Sequence, residues 1–148
     1  MFLAFEPMLV ARIEATIKTP GLKVLTAADL AGVSAQAQHA PAVQVIFDGW
    51  RLAEANGLTT VTERWLTVVA VRNARSQITG FDTRGNAAPI LDALFAALNG
   101  WQAEIDGRRV KPLRPVTPPR PGFDAGFGYY PLAWEAHLPD QVAPCPTY

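Results

Sequence analysis

Apolar residues recur through residues 6–18 as Leu9, Ile13 and Ile17, with Val10 beside them. This four-residue spacing predicts an amphipathic helix. Pro7 falls in its first turn, where a missing N–H costs nothing, and Pro20-Gly21 ends it. Leu22 and Val24 mark a short strand, and residues 27–33 read as either a single helical turn or an irregular connection. Residues 42–48 (Ala-Val-Gln-Val-Ile-Phe-Asp) predict a strand. Residues 60–72 carry the strongest strand signal. Val61, Glu63 and Trp65 alternate with Thr62, Arg64 and Leu66, and the second half is apolar on both faces, as in a central, doubly covered strand. Asn56-Gly57 lies between these strands and favours a tight turn with positive φ, so residues 43–72 predict one long hairpin. Its distal half, residues 49–60, is too polar to be core on both faces and is expected to project from the body.

Residues 74–86 read as a polar loop, and residues 87–99 as a second helix. Asn86 is the expected N-cap, Pro89 falls in the first turn and Gly100 is the expected stop. Ile90, Leu91, Leu94, Phe95 and Leu98 form the apolar stripe, and Trp101 is expected to fold back on the core. Residues 108–114 read as a short edge strand, since sheet edges tolerate proline. Residues 115–122 hold four prolines and are expected to form no regular element. Residues 127–138 read as a last strand, in which Pro131 implies a bulge or an edge position, and residues 139–148 as a loose tail. The order predicts one α+β domain over residues 1–138. Its sheet is mostly antiparallel, with a long projecting hairpin and two amphipathic helices packed on one face.

Composition narrows the function. With 148 residues, 49% hydrophobic and 18% charged, the chain can bury one substantial core and is no disordered tail. Thirteen basic residues balance thirteen acidic ones, so no global field points to nucleic acid or an anionic membrane. One cysteine, Cys145, excludes an internal disulfide framework and a Cys-rich zinc site. No run approaches the roughly 20 apolar residues of a membrane span, and the opening residues lack the basic start of a signal peptide. A soluble protein made in a cytoplasm is the expectation. Nine of the 13 prolines lie from Pro112 onward, which marks a stiff C-terminal third.

Chemistry-bearing motifs are scarce. The chain has no Gly-x-Ser-x-Gly, no phosphate-binding glycine loop, no His-Glu-x-x-His and no Cys-x-x-Cys. His39 and His137 read as surface or hydrogen-bonded structural residues. Glu63 and Glu135 lie on predicted strands, where they read as solvated residues or salt-bridge partners; acid–base work would need them in one cleft. Cys145 sits between two prolines in the tail, a poor setting for a reactive thiol. No catalytic residue, cofactor or metal is expected. Arg108, Arg109, Lys111, Arg114 and Arg120 fall in a stretch free of Asp and Glu. They suit phosphates or an acidic protein surface, or else a solvated edge. Phe123, Phe127, Tyr129 and Tyr130 sit among Gly and Pro, as interface anchors or as a cover for one end of the core. Trp50-Arg51 on the hairpin reads the same way.

Several segments carry a family resemblance. They are the first helix leading into Thr19-Pro20-Gly21-Leu22, then Pro41-Ala42-Val43-Gln44-Val45, and Val61-Thr62-Glu63-Arg64-Trp65 running into Val69-Ala70-Val71-Arg72-Asn73. Leu98-Asn99-Gly100-Trp101 and the strand with Tyr130 and Trp134 complete the set. Over roughly residues 5–138 the chain resembles the tail terminator proteins of long-tailed phages, of the Mu-like and transposable siphophage and prophage type. Residues 115–122 and the last ten residues fall outside the match.

The resemblance implies a structural virion protein at the tail–head junction, assembled in the host cytoplasm. It implies a homo-oligomer, a hexameric ring, that caps the tail tube, stops its polymerisation and meets the head-completion connector. Its partners are then the tail tube protein, the connector and DNA in passage, with no membrane. Expected interface residues are Trp50, Arg51, Arg108, Arg109, Lys111, Arg120, Phe123, Phe127, Tyr129 and Tyr130. A head-closure or neck adaptor is the alternative in the same class. A ligand-binding or enzymatic α+β domain, or a nucleic-acid module using the arginine cluster, are alternatives in others.

Overall fold

A computed structural model describes residues 2–31, 39–72, 81–138 and 141–142. Helix α1 (Phe5–Thr16) buries Phe5, Leu9 and Ile13, and Ile17 continues that stripe as the chain turns extended. Strand β1 (Lys23–Thr26) leads into a single helical turn, α2 (Ala27–Leu30). The Thr26 N–H and hydroxyl both donate to the Asp29 carboxylate, at 2.8 and 3.0 Å, and hold its pKa below the ordinary carboxylate value. Then come β2 (Ala42–Ala55), β3 (Leu58–Arg72) and α3 (Phe81–Leu98). The remaining strands are β4 (Glu104–Ile105), β5 (Arg108–Arg109), β6 (Arg114–Val116), β7 (Gly122–Asp124), β8 (Phe127–His137) and β9 (Gln141–Val142).

Among the described residues the main sheet runs β1-β2-β3-β8-β6, with β7 also beside β8 and β9 beside β3. Only β1–β2 is parallel; the other ladders are antiparallel. This is the expected α+β class, with a mostly antiparallel sheet. The hairpin is as long as the pattern predicted. Ala55 pairs with Leu58 across Asn56-Gly57, whose φ values of 53° and 75° are those of the primed turns that match strand twist. Beyond Thr62, where β8 ends its pairing at His137, the hairpin has only β9 beside it.

Pleating sorts β3 into two faces. Val61, Glu63, Trp65, Val69 and Val71 point to the helices, where they join Leu9, Ile13, Ile90, Leu94 and Leu98 in the core. Val43, Val45, Tyr130, Trp134 and Ala136 share that face. Each buried aliphatic side chain here contributes roughly 1.5–3 kcal/mol by leaving water. Both buried indoles are satisfied: Trp134 Nε1 donates to Thr67 Oγ1 at 3.0 Å and Trp65 Nε1 to Glu63 Oε1 at 3.3 Å. The other face of β3 carries Thr62, Arg64, Leu66, Val68 and Ala70, of which Thr62, Val68 and Ala70 are buried. β3 is thus central and buried on both faces in its second half.

Two register features decide what the hairpin presents. Phe47 pairs with Trp65 and Trp50 with Glu63, so Asp48 and Gly49 together face the single residue Arg64. This bulge, with Gly49 at φ 102°, changes which residues face the helices. Before it they are Val43, Val45 and Phe47; after it, Trp50 and Leu52. The second feature is Pro131. β6 pairs Ala133–Glu135 of β8 and β7 pairs Phe127–Tyr129, so Pro131 lies in the gap between two ladders. It is a local edge inside a central strand, where a missing N–H breaks no pair.

Several expectations are corrected. α3 begins at Phe81, so residues 81–86 are helix rather than loop, Asn86 is no N-cap and Pro89 is internal. Gly85 and Pro89 are both exposed, so water can satisfy the carbonyl that proline leaves without a helical donor. Residues 108–114 are not one strand. Arg108–Arg109 turn back on Glu104–Ile105 around Asp106-Gly107, and a separate strand starts at Arg114. Residues 115–122 do contain regular structure, since Pro115 and Val116 pair with β8. Gln141–Val142, within the expected tail, pair with Leu58 and Thr59. Residues 74–80 of the expected loop, and residues 139–140 and 143–148 with Cys145, lie outside the described residues.

Candidate functional site

The pleat rules on the carboxylates. Glu63 pairs with Ala136 and points to the helices, whereas Glu135 pairs with Arg64 and points away. Glu63 and Glu135 therefore lie on opposite faces of the sheet and share no cleft. Glu63 is neither solvated nor ion-paired. It is fully buried, and its second oxygen accepts the Leu3 backbone N–H at 2.8 Å. Its carboxylate holds the first residues against the hairpin, with the Phe2 ring edge-on to Trp50 at 5.3 Å. Nothing in the local pattern distinguishes this glutamate from its neighbours; its partners come from 60 residues away in sequence and from the Trp65 indole.

On the helix-free face the polar groups pair among themselves. Glu135 binds Arg114 at 2.5 Å and Arg51 at 3.6 Å, and the Arg114 hydrogen bond above all holds its pKa below the usual carboxylate value. Arg64 donates to Asp48 at 2.7 Å and to the Thr117 carbonyl at 3.0 Å. His137 Nδ1 lies 2.9 Å from the Thr62 hydroxyl. Burial first, then the nearby Lys111, pushes its pKa down, against the opposing pull of Glu135. His39 meets the Gly21 carbonyl at 3.0 Å. Both histidines are hydrogen-bonded structural groups.

A groove of about 220 Å³ runs beside Asp48, Arg51, Thr62, Arg64 and Glu135, but its charges are matched in the pairs just described. A larger cavity of about 410 Å³, lined by Thr19, Pro41, Val71, Arg72, Asn86, Pro89 and Ile90, has Arg72 as its one ionic lining group among the described residues. Among the described residues no three His, Cys, Asp or Glu side chains gather as a metal site, and no helix is long and apolar enough to cross a membrane.

The expected contact residues divide by burial. Trp50 and Phe123 are each 51% exposed, and Arg51, Arg108, Arg109, Lys111 and Arg120 are exposed. Tyr129 is half-buried. Phe127 and Tyr130 are buried, at 3% and 8%, so the reading of them as surface anchors is corrected: they close one end of the fold. Phe127 lies under the Arg72 guanidinium at 4.9 Å, and Tyr130 receives the edge of Phe123 at 6.0 Å. Phe2, Leu3 and Leu52 were not singled out by the sequence, although they are exposed beside Trp50. The signal was the apolar opening of the chain, which has meaning as a surface only once Glu63 ties it to the hairpin.

An α+β fold whose strand carboxylates share no cleft, and whose exposed aromatics stand on the hairpin and beside β8, offers surfaces for contact, as a structural class of protein does. Within that class the chain belongs to the phage tail terminator protein family, whose model matches residues 1–140. It is a structural component of a phage tail. A search of curated proteins found no match.

Proposed function

We propose that this chain is the terminator itself: a ring of identical subunits that caps the tail tube, ends its polymerisation and presents a surface to the head connector. The family match over nearly the whole chain carries the reading. The exposed Trp50, Arg51, Arg108, Arg109, Lys111, Arg120 and Phe123, together with Tyr129, serve assembly. The subunit does no chemistry and holds no cofactor. Its partners are its own copies in a hexameric ring, the tail tube protein and the head-completion protein, with DNA passing through. It works at the tail–head junction of the virion after assembly in the host cytoplasm. A closed ring needs heterologous contacts, one face of each subunit meeting a different face of the next. Stiff, proline-rich loops dock at little entropic cost.

Electron microscopy of particles from a phage lacking this gene tests the proposal. Over-long, headless tails are expected. Headless tails of normal length would overturn termination in favour of head closure, and normal-length tails joined to heads would overturn both.

A further inference from the structure

The two faces of the sheet differ in what they offer a partner. Among the described residues, the strongly exposed large apolar side chains all stand on the helix side. Trp50 and Leu52 point there from β2, Phe2 packs on Trp50, and Leu3 is held by Glu63. Phe95 packs on Trp134 and Phe123 on Tyr130, both rings of that same face.

At the hairpin end of the helix-free face, cations gather instead. The register aligns Arg51 with Thr62 and His137, and in the next row Arg64 with Glu135 and Arg114. These side chains spring from four neighbouring strands, spaced about 4.8 Å apart. Arg51 and Arg114 share the single carboxylate of Glu135, and Arg64 takes that of Asp48. Lys111 is exposed and has no ion pair among the described residues. It lies near His137, whose pKa is lowered by burial first and then by Lys111, Arg114 and Arg51, with Glu135 opposing. Four cations thus meet two carboxylates. The other hairpin acids, Glu54 and Glu63, point to the helix side, and Asp124 sits at the far end of the face opposite Phe127. The side chains of Arg51 and Arg114 are 66% and 61% exposed, and a guanidinium has five donors to offer. The groove of about 220 Å³ opens beside Arg51, Arg64 and Glu135.

We propose that this corner of the helix-free face docks the phosphodiester backbone of duplex DNA, with Arg51, Arg64, Lys111 and Arg114 as its cationic contacts. A protein partner would draw its affinity from buried apolar anchors, which stand on the other face. A phosphate backbone needs only cations and polar donors, and a planar guanidinium suits its paired oxygens. The corner offers no strongly exposed aromatic ring to stack unpaired bases, which favours a duplex over a single strand. The chain has no net charge, so the attraction is local. The contact deepens the proposed passage of DNA through the assembly and rests on that reading for how the two meet. Arg51 and Lys111 then face DNA, and the exposed aromatics face protein.

Fluorescence anisotropy of a labelled random-sequence duplex, titrated with the full chain over a series of salt concentrations, tests the contact. Arg51→Gln with Lys111→Gln removes two of the four cations. Arg12→Gln with Lys18→Gln removes two from α1, on the other side of the sheet, and matches the first pair in net charge. Circular dichroism confirms folding; Lys111→Gln alone replaces the first pair should that one fail to fold. The wild-type chain is expected to bind with a Kd of roughly 10⁻⁴–10⁻⁶ M, weakening as salt rises. The first pair is expected to bind roughly tenfold or more weakly, with the slope of log affinity against log salt reduced by about 1.8, or about 0.9 for Lys111→Gln alone. The α1 pair is expected to keep the wild-type slope. No binding by the wild type, an unchanged slope in the first pair, or equal losses in both pairs would overturn the contact. Tighter binding of a single-stranded oligonucleotide would overturn the choice of duplex, and displacement of the duplex by polyglutamate at equal charge would replace DNA with an acidic protein. The outcome is separable from the function. A chain that ignores DNA but whose loss yields over-long tails removes the contact and keeps the terminator. A DNA-binding chain whose loss leaves tails normal does the reverse.

Discussion

Glu63 shows what one residue contributes. Both of its partners are donors, the Leu3 N–H and the Trp65 indole N–H, so an acceptor-only carboxylate satisfies both. Glu63→Gln turns an N–H2 toward one of them, and the unsatisfied buried donor is expected to cost about 1–3 kcal/mol. Chemical denaturation measures it, and an unchanged midpoint would show that Leu3 is not held. His137 and Glu135 predict the response to acid. The folded His137 pKa lies below its ordinary 6.5, so the folded state resists protonation. Stability falls as pH drops from about 6.5 through that lowered value. Glu135 is also depressed, so its contribution is complete above the ordinary carboxylate pKa and is lost as pH falls through the lower folded value. Denaturant midpoints across pH are expected to decline in these two windows, the upper one disappearing in His137→Asn and the lower one in Glu135→Gln.

The elements were legible wherever the signal was local. The four-residue spacing from Leu9 to Ile17 and the Asn56-Gly57 turn sufficed for α1 and the hairpin. The start of α3 was hidden because Gly85 and Pro89 both read as breakers, yet both sit on its exposed side. The β4–β5 turn did have a signal, Asp106-Gly107, the same kind of dipeptide as in the hairpin. Glu63 and the Asp48-Gly49 bulge were not legible, because each is defined by a partner strand or a distant segment. Two changes test the elements. Leu94→Ala removes a fully buried side chain facing the sheet and is expected to cost about 2–5 kcal/mol. Ala125 turns β7 into β8 at φ 50°, a region costly for alanine and easier for asparagine. Ala125→Asn is therefore expected to raise the thermal midpoint by a few degrees, worth up to about 1 kcal/mol.

At the scale of the whole molecule, the buried core and the exposed apolar side chains occupy different parts of the chain. The core joins α1, α3, β3 and β8, while the exposed apolar groups lie on the hairpin and beside β8. Truncation after Leu138 removes β9 but none of that core. The shortened chain is expected to fold, with faster amide exchange confined to Leu58 and Thr59; loss of soluble protein would show that β9 matters to the whole. The sequence reached the family through patterns of packing residues, because no catalytic motif was there to find. Which aromatics face water was not legible: Phe123 and Phe127 are four residues apart, yet one is exposed and the other buried by the return of β8.

The bulge at Asp48-Gly49 has a consequence for how such hairpins vary. It acts as a parity switch: one added residue exchanges the odd and even positions of everything distal to it. Deleting Gly49 would close the bulge and leave Trp50 opposite Glu63, Arg51 opposite Thr62 and Leu52 opposite Val61, so each would keep its present face. Two hairpins with aligned letters but only one bulge would display opposite faces. For this strand, a one-residue gap placed at the bulge keeps the surface, whereas the same length without the bulge exchanges it.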